Sequence, residues 1–204
     1  QVASSIQQLI LNKTLMFYGG DMALAAIGIV MSISTLLFMP VLGLSQGAQP
    51  IIGYNYGARQ YNRVRETWKM GVLAGTGIAV AGYLAIHIWP VQLVELFSKG
   101  DTALTAMTVH AMVIFFALLP VLGFQITSSI YFQAVGKAKQ AAVLSLSRQF
   151  LIFIPLLLIL PHFWGMDGVW RTAPISDGLS AALTASFIFF EMRKMKQEEE
   201  KQGW

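Results

Sequence analysis

Met22 to Ala58, 37 residues, and Thr102 to Gly136, 35 residues, contain no Asp, Glu, Lys or Arg. A helix in water needs a polar face, whereas about 18 uncharged and mostly apolar residues already describe a helix that crosses a bilayer. Met70 to Val91, Gln149 to Met166 and Gly168 to Phe190 qualify as well, the last interrupted by Arg171 and Asp177. Hydrophobic residues make up 55% of the chain and charged residues 12%, which excludes an ordinary soluble domain. The opening QVASSIQQLILNKTLMF has neither a basic n-region nor a small-residue cleavage site, so it reads as the tail of a further span cut mid-helix rather than as a signal peptide.

The expected fold is therefore all-α: a polytopic membrane helix bundle of five complete transmembrane helices and a truncated first one. The expected spans are residues 1–18 (truncated), 22–57, 66–90, 102–135, 140–161 and 167–191. They form a transmembrane lobe over 1–192, followed by a cytoplasmic tail over 193–204.

Eleven of the 14 Lys and Arg residues fall in three clusters: Arg59, Arg63, Arg65 and Lys69; Lys137, Lys139 and Arg148; Arg193, Lys194, Lys196 and Lys201. Lys13, Lys99 and Arg171 lie elsewhere. The clusters occupy alternate connections, which the positive-inside rule places in the cytoplasm. The net charge of +4 thus reports topology and implies no nucleic-acid partner. Trp89, Trp164 and Trp170 beside the outer connections, and Trp68 beside an inner one, read as interfacial belts. The mixed charges of EMRKMKQEEEKQGW read as a solvated helix end.

A shift of 80 residues lays GDMALAA on GDTALTA, PVLG (40–43) on PVLG (120–123) and ARQ on AKQ, with 11 identities in 41 positions from residue 20. Each copy begins with Gly-Asp at the outer face, crosses inward and ends on a basic loop. Repeated units with Pro and Gly inside their helices are a theme of secondary transporters. At about 1.5 Å per residue, a 37-residue helix would reach about 55 Å against a core of about 30 Å, so part of each unit must bend, tilt or extend past the membrane.

GLSQGAQPIIGYNYGARQYNRVRE (43–66) resembles the signature that ends the eighth span of multidrug and toxic compound extrusion (MATE) transporters, most of all the bacterial multidrug efflux branch. LNKTLMFYGGDMALAAIGI, SSIYFQAVGKAKQAAVLSLSRQ and GVWRTAPISD extend the likeness over almost the whole chain. The resemblance implies twelve helices in two lobes, with this chain as the second lobe and the N-terminal lobe outside it. It also implies export of cationic or aromatic drugs in exchange for H+ or Na+, from a bacterial cytoplasmic (inner) membrane, with the C-terminus cytoplasmic. The family's coupling carboxylates lie in the first lobe or on span seven, and VASSIQQLILNKTL contains none, so no coupling residue carries over.

Asp177, about ten residues into the last span, lies near mid-membrane, where a charge costs at least about 2.5 kcal/mol and requires a partner or water. It reads either as an ion-coupling site or as an acid that fixes helix packing near Pro174. His110 lies at similar depth and reads as an imidazole bonded to a neighbouring carbonyl. His87 and His162 read as interfacial anchors. No HExxH pattern or His/carboxylate cluster is present, so neither a metal nor a cofactor is expected.

Met31, Phe38, Met39, Phe115, Phe116, Tyr131 and Phe153 are candidates for an adaptable cavity wall, since Met and aromatic side chains repack around diverse apolar cations. Gln46, Gln49, Asn55 and Gln125 are candidate polar groups of that cavity or its gate. Pro50, Gly53, Tyr54, Tyr56, Gly57, Arg59 and Arg148 form a structural cytoplasmic motif, in which the glycines and Pro50 loosen the helix and Arg148 bonds helix-end carbonyls. Pro40, Pro120 and Pro155 are candidate kinks. Gly71, Gly75, Gly77 and Gly82 read as a close-packing stripe.

Two other readings are open. A lipid-linked saccharide flippase of the same superfamily would want a larger and more basic cavity. An intramembrane enzyme would need Asp177 beside a His, and no second midplane carboxylate or GxSxG pattern supports it.

Overall fold

The computed structural model describes residues 2–98 and 100–202, with side chains through residue 200. The Lys99 position and the Lys201 side chain, both part of the charge pattern, lie outside the described residues, as do Gln1, Gly203 and Trp204. The described residues are helical almost throughout: α1 (Val2–Gly57), α2 (Tyr61–Ile88), α3 (Pro90–Ser98), α4 (Thr102–Phe115), α5 (Leu119–Ala134), α6 (Ala138–Leu146), a π-helical segment (Ser147–Ile152), α7 (Phe153–Trp164) and α8 (Met166–Gln202). Four helical stretches are long and apolar enough to cross a membrane, and α4 with α5 adds a fifth, bent by 54°. The short α3, between α2 and α4, has no counterpart among the expected spans.

The internal repeat has a backbone signature. Gly20 breaks α1 with a φ of 64°, and Gly100 precedes α4 with a φ of 86°. These are left-handed conformations that a side chain disfavours. Asp101 then caps α4 by accepting from the Leu104 amide at 3.0 Å. The copies diverge at their shared PVLG. Pro40 sits inside α1, which continues unbroken to Gly57, whereas Pro120 stands in the first turn of α5 directly after the break at 116–118. Pro155 similarly stands in the first turn of α7, just after the π segment, where it offers no amide to the carbonyl four residues earlier. Pro40 and Pro50 therefore do not interrupt the helix, which corrects the expectation that Pro50 and its glycines loosen it.

α2 packs along α5 through small residues. Gly71 lies against Thr127, and a Cβ on Gly75 would meet the Gly123 Cα at 3.5 Å. Gly82 faces Leu37, while Gly77 has nothing near it and lies off the stripe. Trp170 is 1% exposed and belongs to the core, not to an interfacial belt. Trp68 donates to Ser128 at 3.3 Å and packs edge-on against Phe124.

Two cores stack along the helices. The larger gathers Leu15, Val30, Met112, Phe116, Leu157 and Trp170, and the smaller gathers Ile52, Val64, Tyr131, Phe132, Leu144 and Met195 at the end that carries the basic turns. At that basic end α8 ties the turns together. Lys137 pairs with Glu191, Tyr61 donates to Glu198 at 2.9 Å, and Arg65 bonds Glu199 at 2.6 Å. This part of α8 is thus docked rather than free in solvent, as its mixed charges alone had implied. Burial works against the Lys137 ammonium, but its hydrogen bond to Glu191 and that carboxylate's charge outweigh it and raise the pKa above 10.5. The contribution is complete at neutral pH and is lost only as pH rises through the raised value.

Candidate functional site

The break between α4 and α5 and the π segment both border one cavity of about 330 Å³. Phe115 and Phe116 reach it from the end of α4, and Arg148 and Gln149 reach it from the π segment. Met31, Phe38 and Phe153 complete an apolar wall, while Ser4, Gln7 and Gln8 bring one polar face of α1. Broken helices at a cavity are how membrane proteins expose backbone and polar groups away from lipid.

Asp177 and Arg148 are the charged pair of this cavity. Arg148 Nε donates to Asp177 Oδ1 at 2.8 Å, with side-chain exposures of 32% for Arg148 and 13% for Asp177. Two cross-helix bonds frame the pair: Gln125 Nε2 donates to the Asp177 carbonyl at 2.8 Å, and Ser176 Oγ donates to the Arg148 carbonyl at 3.1 Å. Ser4 Oγ donates to Gln149 Oε1 at 2.9 Å, joining α1 to the π segment. With Asp177 ionised the charged pair is neutral; with Asp177 protonated it is left with one positive charge.

Met31, Phe38, Phe153 and Asp177 thus come together. Gln125 stands at the rear, bonded to the Asp177 backbone. Arg148 is a correction: its guanidinium serves Asp177 in the cavity, not helix-end carbonyls of the basic turns. Met39 and Gln46 are exposed and do not line the cavity, and Gln49, half-buried, does not line it either. Asn55 is buried near the basic end and donates to the Ile51 carbonyl at 2.8 Å. Tyr131 is buried in the smaller core, where its hydroxyl donates to Glu191 at 3.3 Å. Both are therefore remote in role from the cavity wall.

The remaining members of the expected cytoplasmic motif gather at the basic end. Gly53 lies against the Ala134 carbonyl, and Tyr56 packs edge-on to Tyr61 beneath the Lys137 ammonium. Arg59 adopts a φ of 57° in the turn after Gly57. Tyr54 and Pro50 face outward.

His110 is also placed differently from expectation. Its Nε2 lies 2.8 Å from Asp167 Oδ1, with exposures of 58% and 41%, so it has a carboxylate partner at the start of α8. The His110–Asp177 pairing that an intramembrane enzyme would need is not formed. Sequence reasoning missed Ser4, Gln7 and Gln8, although their i, i+3, i+4 spacing in an apolar helix is a legible polar stripe.

Comparison with known proteins agrees with this architecture. The family model described as MatE matches residues 1–159. The multidrug export protein MepA of Staphylococcus haemolyticus (strain JCSC1435) is 27% identical over 94% of this chain and 41% of its own length. MepA of Staphylococcus aureus (strain N315) is 29% identical over 91% of this chain and 40% of its own length. The solved structure of the MATE multidrug transporter DinF-BH superposes with a TM-score of 0.81 at 38% identity, over 92% of this chain and 42% of that one. The chain spans about two fifths of the length of the curated relatives it matches. A match of this extent, on a membrane bundle with broken helices around a polar cavity, establishes that the chain belongs to the MatE family.

Proposed function

We propose that this chain is the C-terminal lobe of a secondary active multidrug efflux antiporter that exports cationic or aromatic drugs in exchange for H+ or Na+. The observation that carries the reading is the Arg148–Asp177 pair in a cavity walled by Met31, Phe38, Phe115, Phe116 and Phe153. The wall offers polarizable and aromatic surface to flat cations. The names of the related proteins, multidrug export protein and MATE multidrug transporter, support the same class.

The pair supplies a coupling device. An ionised Asp177 cancels Arg148 and lets a cation settle in the cavity. Neutralising Asp177 with a proton leaves Arg148 uncompensated, and at about 8 Å and an effective dielectric of about 20 it repels a bound cation by about 2 kcal/mol, or about 30-fold. Sodium bound at the carboxylate would act in the same direction. In this reading the basic end and the C-terminus face the cytoplasm of a bacterial cell, following the positive-inside rule.

The test uses the whole transporter containing this chain, expressed in cells that lack other dye pumps. It should lower intracellular ethidium under a proton or sodium gradient. Asp177→Asn fixes the cavity in its positive state and should weaken ethidium export about 30-fold at equal membrane abundance. Unchanged accumulation across several dyes and both ions, or full export by Asp177→Asn, would contradict the reading.

A further inference from the structure

Behind the Arg148–Asp177 pair, three helices turn polar faces toward one another. Helical spacing sets the faces: Asp177, Ser180 and Thr184 on α8; Gln125, Ser129 and Gln133 on α5; Ser145, Arg148 and Gln149 on α6 and the π segment. All of these except Asp177 line a second cavity of about 210 Å³. Arg148 and Gln149 also line the first cavity and form the wall the two share. At the other end, Gln133 and Ser145 also line an opening with Ala138, Ala141 and Ala142, beside the Lys137 turn. Polar side chains are thus present at intervals from the Arg148–Asp177 pair to the basic end, with Leu42, Ile126, Ile130 and Leu144 completing the lining of the second cavity.

Two residues that line this space carry a buried polar atom in need of a partner. Gln125 Oε1 and Ser180 Oγ have no hydrogen-bond partner among the described residues, and their residues are 5% and 3% exposed. Leaving such a group unsatisfied costs about 1–3 kcal/mol. The Gln125 oxygen can only accept, and its amide nitrogen is already committed to the Asp177 carbonyl. The occupant must therefore donate, and the adjacent Arg148 guanidinium disfavours a metal cation. Water meets both conditions, and the space is well above the roughly 10–15 Å³ that one water requires.

We propose that these cavities form a water path inside this lobe, joining Asp177 to the basic end and serving as the route by which the Asp177 proton exchanges with that side. The step breaks the Asp177 carboxyl O–H bond and passes the proton to the adjacent water. The reformed carboxylate then pairs with Arg148, so the neighbouring charge is cancelled as the proton departs. The assignment of that proton rests on the coupling role proposed above for Asp177; the water path itself does not.

This chain contains no cysteine, and any in the remainder of the whole transporter is first replaced by Ser, so that a single thiol reports unambiguously. Ser145→Cys near the mouth, Ser180→Cys and Thr184→Cys deeper in, and Leu73→Cys on the exposed apolar face of α2 are each placed in the full chain in oriented membrane vesicles. Silver ion is added to one side, and thiols left unreacted are counted with a fluorescent maleimide after solubilisation. Silver from the basic-end side should protect Ser180→Cys and Thr184→Cys at rates within about tenfold of Ser145→Cys, and should react about a hundredfold more slowly with Leu73→Cys, whose thiolate is suppressed in hydrocarbon. The path is overturned if both deep thiols react no faster than Leu73→Cys while Ser145→Cys reacts, or if they react only from the opposite side. Because this readout needs no transport, drug export with unreactive deep thiols refutes the path alone. Reactive thiols without drug export refute the antiport reading alone.

Discussion

Arg148→Ala is expected to be among the most damaging single substitutions in the chain, destabilising the bundle by about 2–3 kcal/mol and abolishing ion-coupled export. Removing one partner of a fully buried ion pair typically costs about 3–5 kcal/mol, because the remaining charge is left without compensation. Arg148 is a third exposed to the cavity, so water screens part of that penalty. Arg148→Lys should recover little, since the bond to Asp177 runs from the guanidinium Nε, a position along the side chain where Lys carries a methylene. The double variant Arg148→Met with Asp177→Leu should regain most of the stability, because a pair replaced by apolar groups leaves no orphaned charge. It should regain none of the export. Thermal unfolding in detergent and dye export in vesicles separate the two effects; a double variant as unstable as Arg148→Ala would show that the pair is not the source of the loss.

The second large effect is expected at Gly123, where the repeat supplies its own control. A Cβ there would sit 2.7 Å from the Gly75 carbonyl oxygen, and backbone cannot rotate aside as a side chain can. Even Gly123→Ala must separate α2 from α5, a cost at or above the upper end of the usual 1–3 kcal/mol for overpacking, so about 3 kcal/mol or more. Gly43 holds the same place in the other PVLG, and a Cβ added there would have nothing within 4 Å. Gly43→Ala should therefore be neutral or stabilising by up to about 1 kcal/mol, from helix propensity alone. Equal effects at the two positions would contradict the close α2–α5 approach.

That contrast also marks the limit of what the amino-acid sequence discloses. Charge-free runs, basic clusters and the Gly stripe are local or periodic signals, and they disclosed an all-helical membrane bundle, a basic end and a close-packing face on α2, but not the helix that this face meets. The repeat correctly paired Gly20 with Gly100, because a left-handed backbone demands the same residue twice. It could not show that Pro40 lies in a continuous helix while the chain breaks before Pro120, since a helix can absorb one lost hydrogen bond and the outcome depends on its neighbours.

The site was visible as separate pieces. Asp177 and His110 stood out as ionisable groups in apolar surroundings and Arg148 as a member of a cytoplasmic basic cluster, but Arg148–Asp177 and His110–Asp167 join residues 29 and 57 positions apart. Pairing over such distances is decided by packing between helices, with no periodic trace in the sequence. The docking of α8 at the basic end through Glu191, Glu198 and Glu199 was hidden for the same reason: alternating charges look alike whether they face water or a neighbouring helix.

The central claim, that drug and coupling ion contend for Asp177, is tested most directly by equilibrium ethidium binding to the purified whole transporter across pH and sodium concentration. Competition at one carboxylate predicts that the apparent Kd rises as pH falls through the titration of Asp177, or as sodium increases, by up to about 30-fold. Asp177→Asn should bind weakly and show no dependence on either ion. Wild-type binding that is indifferent to both pH and sodium, or an Asp177→Asn variant that keeps the full ion dependence, would contradict the account.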